Sequence, residues 1–127
     1  LRAEAHEDIN LITLLIGTEQ EGLEILNKEK KWIPISVGSN KIVCNVGDML
    51  QRLTNDSLKS TTHRVCNPKD QKKNQPRYSI PFFLHLNPDY MIKTIPNCIN
   101  KISPNKYQDA ISANDFLKIR LEEINLK

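Results

Sequence analysis

The stretch Ala5-His6-Glu7-Asp8-Ile9-Asn10 stands directly ahead of an apolar run from Leu11 to Ile16. Successive side chains of a β-strand point to opposite faces, so a strand here would place His6 and Asp8 on one face. An imidazole nitrogen and a carboxylate oxygen on one face can hold two neighbouring coordination positions of a metal ion. Two polar residues also meet at this spacing by chance, so a metal site requires a third ligand.

The sequence up to residue 86 consists of short apolar segments separated by turns. We predict strands over Asn10–Ile16, Leu23–Leu26, Lys31–Ser36, Asn40–Val46, Lys59–Val65 and Arg77–Leu86, with Met49–Leu53 extended between two turns. The first strand is expected to be buried on both faces, and Pro34 limits the third to an edge or a bulge. Strands with turns at intervals of about 8 to 12 residues are typical of an all-β sandwich or barrel.

The segments that follow residue 66 are a loop, a strand, a surface segment and a helix. Residues 67–76 are predicted to form a loop, and residues 87–105, rich in proline and asparagine, a segment running over the surface. A helix closes the chain, with Ser112 as N-cap and Asp115 at the third helical position. Its apolar stripe is expected to pack on the sheet; it consists of Leu117, Leu121 and Ile124.

Length and composition indicate one ordinary globular domain. The chain has 127 residues, is 39% hydrophobic and carries a formal net charge of +3, which gives no reason to expect nucleic acid or a membrane as partner. No apolar run approaches the roughly 20 residues that span a bilayer. The cysteines are odd in number and far apart in sequence, which predicts free thiols and a cytoplasmic location. They are Cys44, Cys66 and Cys98. Because the sequence begins at Leu1 rather than Met, we expect the carboxy-terminal part of a longer chain.

His63 is the candidate for the third ligand, because it lies where the polar run Ser60-Thr61-Thr62 gives way to a strand. With His6 and Asp8 it completes two imidazoles and one carboxylate, a set that suits Fe(II) and leaves coordination positions open. Taken alone, His63 is more often a hydrogen-bonded core residue than a ligand. His85 ends an apolar strand without an acidic neighbour in sequence and is interpreted as structural.

A second pair, Arg77 and Ser79, lies on one face of the clearest predicted strand. A guanidinium and a hydroxyl at this spacing can bind a carboxylate through charge-assisted hydrogen bonds. The alternative is a surface arginine beside a serine. Phe83 lies on the same face and either borders a pocket or packs in the core.

In this order and spacing the motifs resemble those of the non-haem iron, 2-oxoglutarate-dependent dioxygenases, in the branch that includes isopenicillin N synthase. The resemblance spans most of residues 1–90. Its motifs are His6-Glu7-Asp8, Gly22–Leu26, Trp32–Ile35, Asn45–Gln51, Leu53–Asp56, Leu58–Val65 and Arg77–Phe83. The sequence departs from the family pattern in two ways. The large amino-terminal portion of the family has no counterpart ahead of His6, and Asp56 stands where the family usually has glycine.

The resemblance implies a mainly β fold, a double-stranded β-helix or jelly roll of the cupin type with a C-terminal helix. It implies one dioxygenase domain over residues 1–127, with its core in 1–90 and an extension and helix in 91–127. Fe(II) would be held by His6, Asp8 and His63, and the co-substrate 2-oxoglutarate by Arg77 and Ser79. O₂ and a small organic molecule would be the other substrates, and succinate and CO₂ would be released.

Two other functions remain open at this point. An iron-dependent oxidase of the isopenicillin N synthase type would keep both motifs and use no 2-oxoglutarate. A non-catalytic jelly roll would bind a metal or a small acid and consume no O₂. Neither the identity of the substrate, nor the choice among hydroxylation, desaturation and ring closure, nor the oligomeric state is predicted by these residues.

Overall fold

The computed structural model describes residues 1–16, 21–36, 38, 40–67, 76 and 78–124. Among these residues the strands are β1 (Ala3–His6), β2 (Ile12–Ile16), β3 (Leu23–Leu26), β4 (Trp32–Pro34), β5 (Ile42–Val46), β6 (His63–Val65), β7 (Pro81–Leu84), β8 (Met91–Ile92) and β9 (Ile111–Ser112). The helices are α1 (Asp48–Leu53) and α2 (Ala113–Glu123), with a 3₁₀ turn at Pro96–Cys98. None of the helices in this part of the chain is long and apolar enough to cross a bilayer.

The strands form two antiparallel sheets that face a common cavity. One sheet has the order β1-β6-β3-β4 and the other β5-β2-β7, while β8 and β9 form a separate pair. Side chains from both larger sheets line the same interior space. Two facing antiparallel sheets with a closing helix are the mainly β jelly-roll architecture that the sequence predicts. β2 and β3 follow each other in sequence but lie in different sheets.

The sequence predicted an edge position for one strand and burial on both faces for another, and only the first prediction is confirmed. β4, which contains Pro34, lies at the edge of its sheet as expected. The prediction that the segment containing β2 is buried on both faces is wrong, because Ile16 is 54% exposed. Thr13 and Leu15 point into the cavity, whereas on the opposite face Ile12 and Leu14 are only half-buried and Ile16 is exposed. A short apolar run has no periodicity that distinguishes a strand buried on both faces from one buried on a single face.

Residues 49–53 lie in helix α1, and the prediction of an extended segment there is wrong. Met49 and Leu53, which are 1% and 7% exposed, lie on one face of the helix and pack against Ile92 and Ala113. A spacing of four residues between apolar side chains fits a helical face, but it also fits the alternation of a strand. Because the helix is only six residues long, its local sequence gives too weak a periodic signal to decide.

The hydrophobic core lies beside the two sheets, between α1, the β8–β9 pair and α2. Partly buried side chains complete it; they are Ile9, Leu11, Leu86, Ile111, Phe116 and Leu117. Ile92, at 0% exposure, belongs to this core, so the segment 87–105 does not simply run over the surface. The predicted cap of α2 is confirmed, since the backbone N–H of Asp115 donates to Ser112 Oγ at 3.1 Å.

Asp56 follows α1 in a left-handed conformation with φ of 63°, the region that favours glycine. Its carboxylate accepts hydrogen bonds from Lys106 Nζ at 2.8 Å and from the Tyr107 hydroxyl. Burial by itself would raise the pKa of Asp56, but the bonds from Lys106 and Tyr107 outweigh it and lower the pKa below its ordinary value. The carboxylate therefore ties residues 106 and 107 to the end of α1.

We expect Asp56→Asn to lower the free energy of unfolding by about 1 kcal/mol near neutral pH. Because the folded-state pKa lies below that of the unfolded chain, this stability is present above the unfolded value and is lost as pH falls through the folded value. The difference between variant and wild type should therefore shrink in acid. Urea unfolding at several pH values measures it, with Asp89→Asn at an exposed position as control. A difference independent of pH would contradict this role.

Candidate metal centre

The pairing of β1 with β6 brings two of the predicted ligands together. His6 lies opposite His63 in the antiparallel register of these strands, and the two ring centroids are 4.3 Å apart. Directly opposed residues of an antiparallel pair have neighbouring side chains, however far apart they are in sequence. The meeting of the two imidazoles therefore follows from the strand register.

Asp8 completes the cluster from the loop that follows β1. The strand ends at His6, so the two residues do not share one regular strand face as the spacing suggested. Asp8 Oδ1 nevertheless lies 3.7 Å from His6 Nε2 and 3.8 Å from His63 Nε2. One ligand atom from each of the three residues lies within 4.8 Å of the others. The structure thus brings together all three predicted ligands.

Backbone carbonyl groups orient both imidazoles. His6 Nδ1 lies 2.7 Å from the Glu4 carbonyl oxygen, and His63 Nδ1 lies 2.9 Å from that of Thr61. A carbonyl oxygen only accepts, so Nδ1 carries the proton, and in the neutral ring Nε2 then keeps a free lone pair. This is the arrangement by which proteins fix the tautomer and direction of metal-binding histidines.

The loop that carries Asp8 is held by the start of helix α1. The backbone N–H of Asp48 donates to the Asp8 carbonyl at 2.8 Å, and that of Gly47 donates to the Leu11 carbonyl at 2.8 Å. A Cβ atom at Gly47 would lie 2.2 Å from the Asn10 carbonyl oxygen, so only glycine permits this approach. The helix that the sequence did not predict therefore positions a predicted ligand.

The donor set fits Fe(II). Two neutral imidazoles and one carboxylate on one side of a site form a facial triad that leaves positions open for other ligands. Asp8 is buried, with 8% exposure, and the side chain of His63 is 14% exposed, whereas that of His6 is 48% exposed. The cluster is thus partly shielded, with one side accessible. Among the described residues no cysteine belongs to a group that could hold a metal.

The three cysteines are free thiols, as predicted. Cys66 Sγ lies 3.4 Å from Glu24 Oε2 and donates to it. Burial raises the pKa of the Cys66 thiol, and the hydrogen bond to Glu24 raises it further. A protonated thiol is a poor metal ligand and a poor nucleophile.

A cavity of about 200 Å³ lies between the two sheets and reaches the three ligands. Ser79 and Phe83 border it, together with apolar side chains; these are Ala3, Leu15, Leu23, Ile25, Val43, Val65 and Pro81. Ser79 therefore lies in the same space as the candidate metal ligands. Arg77, its predicted partner, lies outside the described residues.

A wider cleft of about 840 Å³ is bordered by His6, Asp8 and residues of helix α2. Its apolar wall includes Leu117, Leu121 and Ile124, so the helical stripe expected to pack on the sheet faces this cleft along part of its length. Phe83 borders both the cleft and the inner cavity. His85, interpreted as structural, is exposed at the rim of the cleft rather than packed in the core.

Two residues next to Asp8 were missed at the level of sequence. Thr13 Oγ1 donates to Asp8 Oδ2 at 2.6 Å, and Asn45 Nδ2 donates to the same oxygen at 2.8 Å. Thr13 is one polar residue in an apolar strand and is 4% exposed. A buried polar residue requires a hydrogen-bond partner, so its position in an apolar run was the available signal.

Comparison with known proteins identifies the class to which this fold and site belong. Residues 1–86 match the family model of the 2OG-Fe(II) oxygenase superfamily. The chain therefore belongs to the 2OG-Fe(II) oxygenase superfamily, which confirms the family resemblance of its motifs.

The relatives are longer than this chain. The 2-oxoglutarate-Fe(II) type oxidoreductase hxnY of Emericella nidulans is 40% identical over 115 residues, which are 90% of this chain and 32% of the relative. Azadirone synthase LFS of Melia azedarach is 39% identical over 106 residues, which are 80% of this chain and 30% of the relative. The chain spans about a third of the length of these curated relatives.

Solved structures show the same fold. A 2OG-Fe(II) oxygenase family protein from Caulobacter crescentus is 52% identical with a TM-score of 0.92, over 97% of this chain and 40% of that one. A full-length Neurospora crassa protein in complex with alpha-KG and thymine is 36% identical with a TM-score of 0.88, over 97% of this chain and 37% of that one. The jelly-roll fold is thus shared with proteins of this family.

Proposed function

We propose that this protein is an Fe(II)- and 2-oxoglutarate-dependent oxygenase that oxidises a small organic molecule. The observation that carries the proposal is the cluster of His6, Asp8 and His63 at the junction of an inner cavity and a wider cleft. A metal at this junction would be in contact with ligands in both spaces. Membership of the family supports the choice of iron and 2-oxoglutarate.

In this proposal the three ligands hold Fe(II) through two imidazole nitrogens and one carboxylate oxygen. The carboxylate of Asp8 contributes one negative charge and the neutral imidazoles none, so the protein neutralises only part of the charge of the ion. When bound, Fe(II) supplies a centre at which O₂ is activated as 2-oxoglutarate is decarboxylated to succinate and CO₂. The apolar walls of the inner cavity keep bulk water away from that centre.

We assign the inner cavity to 2-oxoglutarate, with Arg77 and Ser79 binding its distal carboxylate. Ser79 borders the cavity that reaches the metal ligands, and Arg77 precedes it by two residues. The similar full-length protein from Neurospora crassa, at 36% identity, was solved in complex with alpha-KG, the same dicarboxylate. A guanidinium can bind a carboxylate through two parallel hydrogen bonds and a hydroxyl adds a third donor.

We assign the wider cleft to the oxidised substrate. Its wall combines the apolar residues of α2 and the ring of Phe83 with polar side chains, among them Glu7, His85 and Arg120. Its volume of about 840 Å³ is within the range of small-molecule sites. A cleft of this composition suits an organic molecule with an apolar body and a polar group, and the Neurospora crassa protein is bound to thymine and to 5-formyluracil in solved complexes.

The remaining predictions concern the setting of the protein. We propose a single dioxygenase domain over residues 1–127, O₂ and a small molecule as its reaction partners, and no role for nucleic acid or a membrane. We also propose a cytoplasmic location, which the free thiols support. Placement in the branch of isopenicillin N synthase stays a prediction.

The experiment that tests the function measures succinate and oxidised substrate together. Intact protein is loaded with Fe(II) under anaerobic conditions and supplied with O₂, isotopically labelled 2-oxoglutarate, ascorbate and a panel of small organic molecules that combine an apolar body with a polar group. We expect succinate and oxidised product in equal amounts for the accepted substrate. Oxidation of a substrate without succinate would instead establish the oxidase type. Stoichiometric metal binding without O₂ consumption for any substrate would establish a non-catalytic jelly roll.

A further inference from the structure

Asp8 is held by a chain of side-chain hydrogen bonds that reaches from the loop into both neighbouring strands. Asn10 Nδ2 donates to Thr13 Oγ1 at 2.9 Å, and Thr13 Oγ1 donates to Asp8 Oδ2 at 2.6 Å. Asn45 Nδ2 donates to the same carboxylate oxygen at 2.8 Å. Asn10 and Thr13 are buried, with 1% and 4% exposure, so water does not replace these bonds.

The direction of the bonds follows from the chemistry of the groups. An amide nitrogen only donates, so the bond from Asn10 occupies a lone pair of the Thr13 hydroxyl and leaves its proton for Asp8. Asp8 Oδ2 therefore receives two donors, one from β2 and one from β5. Asp8 Oδ1 is the oxygen that faces the imidazoles, at 3.7 Å and 3.8 Å from their Nε2 atoms.

We propose that Thr13 and Asn45 are positioning residues that reserve one oxygen of Asp8 for the metal and keep the other from reaching it. This inference rests on the proposed metal site. A carboxylate can bind a cation through one oxygen or through both. Binding through both would occupy an additional coordination position, one of those that the facial triad leaves open. Two fixed donors on Oδ2 oppose the rotation that would bring this oxygen to the ion.

The strands explain why these two residues can act together. Thr13 and Asn45 are directly opposed in the antiparallel pairing of β2 with β5, so their side chains point to the same face. That face lines the inner cavity beside Asp8. The donors are thus placed by a regular strand register, which is more rigid than a loop.

The experiment compares metal affinity among variants that remove or retain a single hydroxyl group. Thr13→Val removes the donor at constant shape, Thr13→Ser retains it, and Thr94→Val is the matched control. Thr94 is also 4% exposed, but its Oγ1 has no hydrogen-bond partner in the described structure. Co(II) affinity of the intact protein, measured by competition with a chromogenic chelator, requires no turnover. Thermal unfolding without metal reports the structural effect of each change separately.

We expect Thr13→Val to weaken Co(II) binding by about 10- to 100-fold, the usual effect of removing a group that orients a metal ligand. Thr13→Ser and Thr94→Val should bind Co(II) as wild type does. Asn45→Leu, at a partly buried position, provides the same test if Thr13→Val does not fold. Infrared difference spectra of the carboxylate stretch should indicate one-oxygen binding in wild type. The double variant that combines Thr13→Val and Asn45→Leu should show a shift toward two-oxygen binding.

Two results would overturn the inference. If Thr13→Val and Asn45→Leu both bound Co(II) as tightly as Thr94→Val, the two donors would have no effect on metal binding. Two-oxygen binding in the wild-type protein would show that Oδ2 is not kept from the ion. Either result leaves the proposed metal site in place, whereas failure of the wild-type protein to bind Co(II) or Fe(II) would remove that site itself.

Discussion

The variant His63→Ala is expected to lose stoichiometric iron while keeping the fold of the wild-type protein. His63 supplies one of three ligand atoms, and its loss leaves only His6 and Asp8 at the site. Removal of a direct ligand should weaken Fe(II) binding more than removal of a group that orients one, which is a loss of more than about 100-fold. Iron content after anaerobic reconstitution and gel filtration measures this loss, and circular dichroism measures the fold.

The chain offers a matched control in His85. This imidazole is exposed at the rim of the cleft next to the candidate site, but it does not belong to the group of potential ligands in the described part of the chain. His85→Ala should therefore retain the iron content of wild type. If His63→Ala retained stoichiometric iron, His63 would not be a ligand. Equal loss of iron in both variants would point to a general effect of histidine removal.

The variant Arg77→Ala is expected to raise the concentration of 2-oxoglutarate needed for half-maximal turnover while leaving iron binding unchanged. Truncating one partner of a buried, hydrogen-bonded charge pair typically costs about 2–5 kcal/mol, which corresponds to about 30-fold or more in affinity. Turnover at increasing 2-oxoglutarate measures this concentration. Anaerobic binding of 2-oxoglutarate to the iron-loaded protein gives the change in affinity, and Fe(II) affinity is determined on the same samples.

A graded series makes this prediction specific to the guanidinium. Arg77→Lys keeps the charge but loses the two parallel hydrogen bonds, so its affinity should lie between those of wild type and Arg77→Ala. Ser79→Ala removes one neutral donor from the cavity wall and should have a smaller effect than Arg77→Ala. An unchanged requirement for 2-oxoglutarate in Arg77→Ala would exclude Arg77 from this role.

Much of the sheet structure was predictable because β-branched residues, turns and edge prolines act locally. β4 with Pro34 and the cap at Ser112 lie where local chemistry placed them. Helix α1 was not predicted, because its identity depends on the packing of Met49 and Leu53 against Ile92, about forty residues further along the chain. Contacts between such distant residues have no signature in a local pattern.

The candidate site likewise has residues that were predictable from the sequence and residues that were not. The three candidate ligands were found from residue type and from the order of motifs, which also carried the family resemblance. The residues that hold Asp8 were not found, because a threonine in β2 and an asparagine in β5 have no visible connection in sequence until the strands pair. The cleft along α2 was missed for a similar reason, since the stripe of Leu117, Leu121 and Ile124 is compatible with either a packed or an open face.

The most direct test of the account is to locate iron in crystals of the intact protein grown with Fe(II) under anaerobic conditions. Anomalous diffraction recorded at the iron absorption edge identifies the ion independently of the protein atoms. We predict one iron peak within about 2.2 Å of His6 Nε2, Asp8 Oδ1 and His63 Nε2, the usual range of metal–ligand distances. A peak elsewhere, or one in contact with only one of the two imidazoles, would contradict the assignment of the metal site.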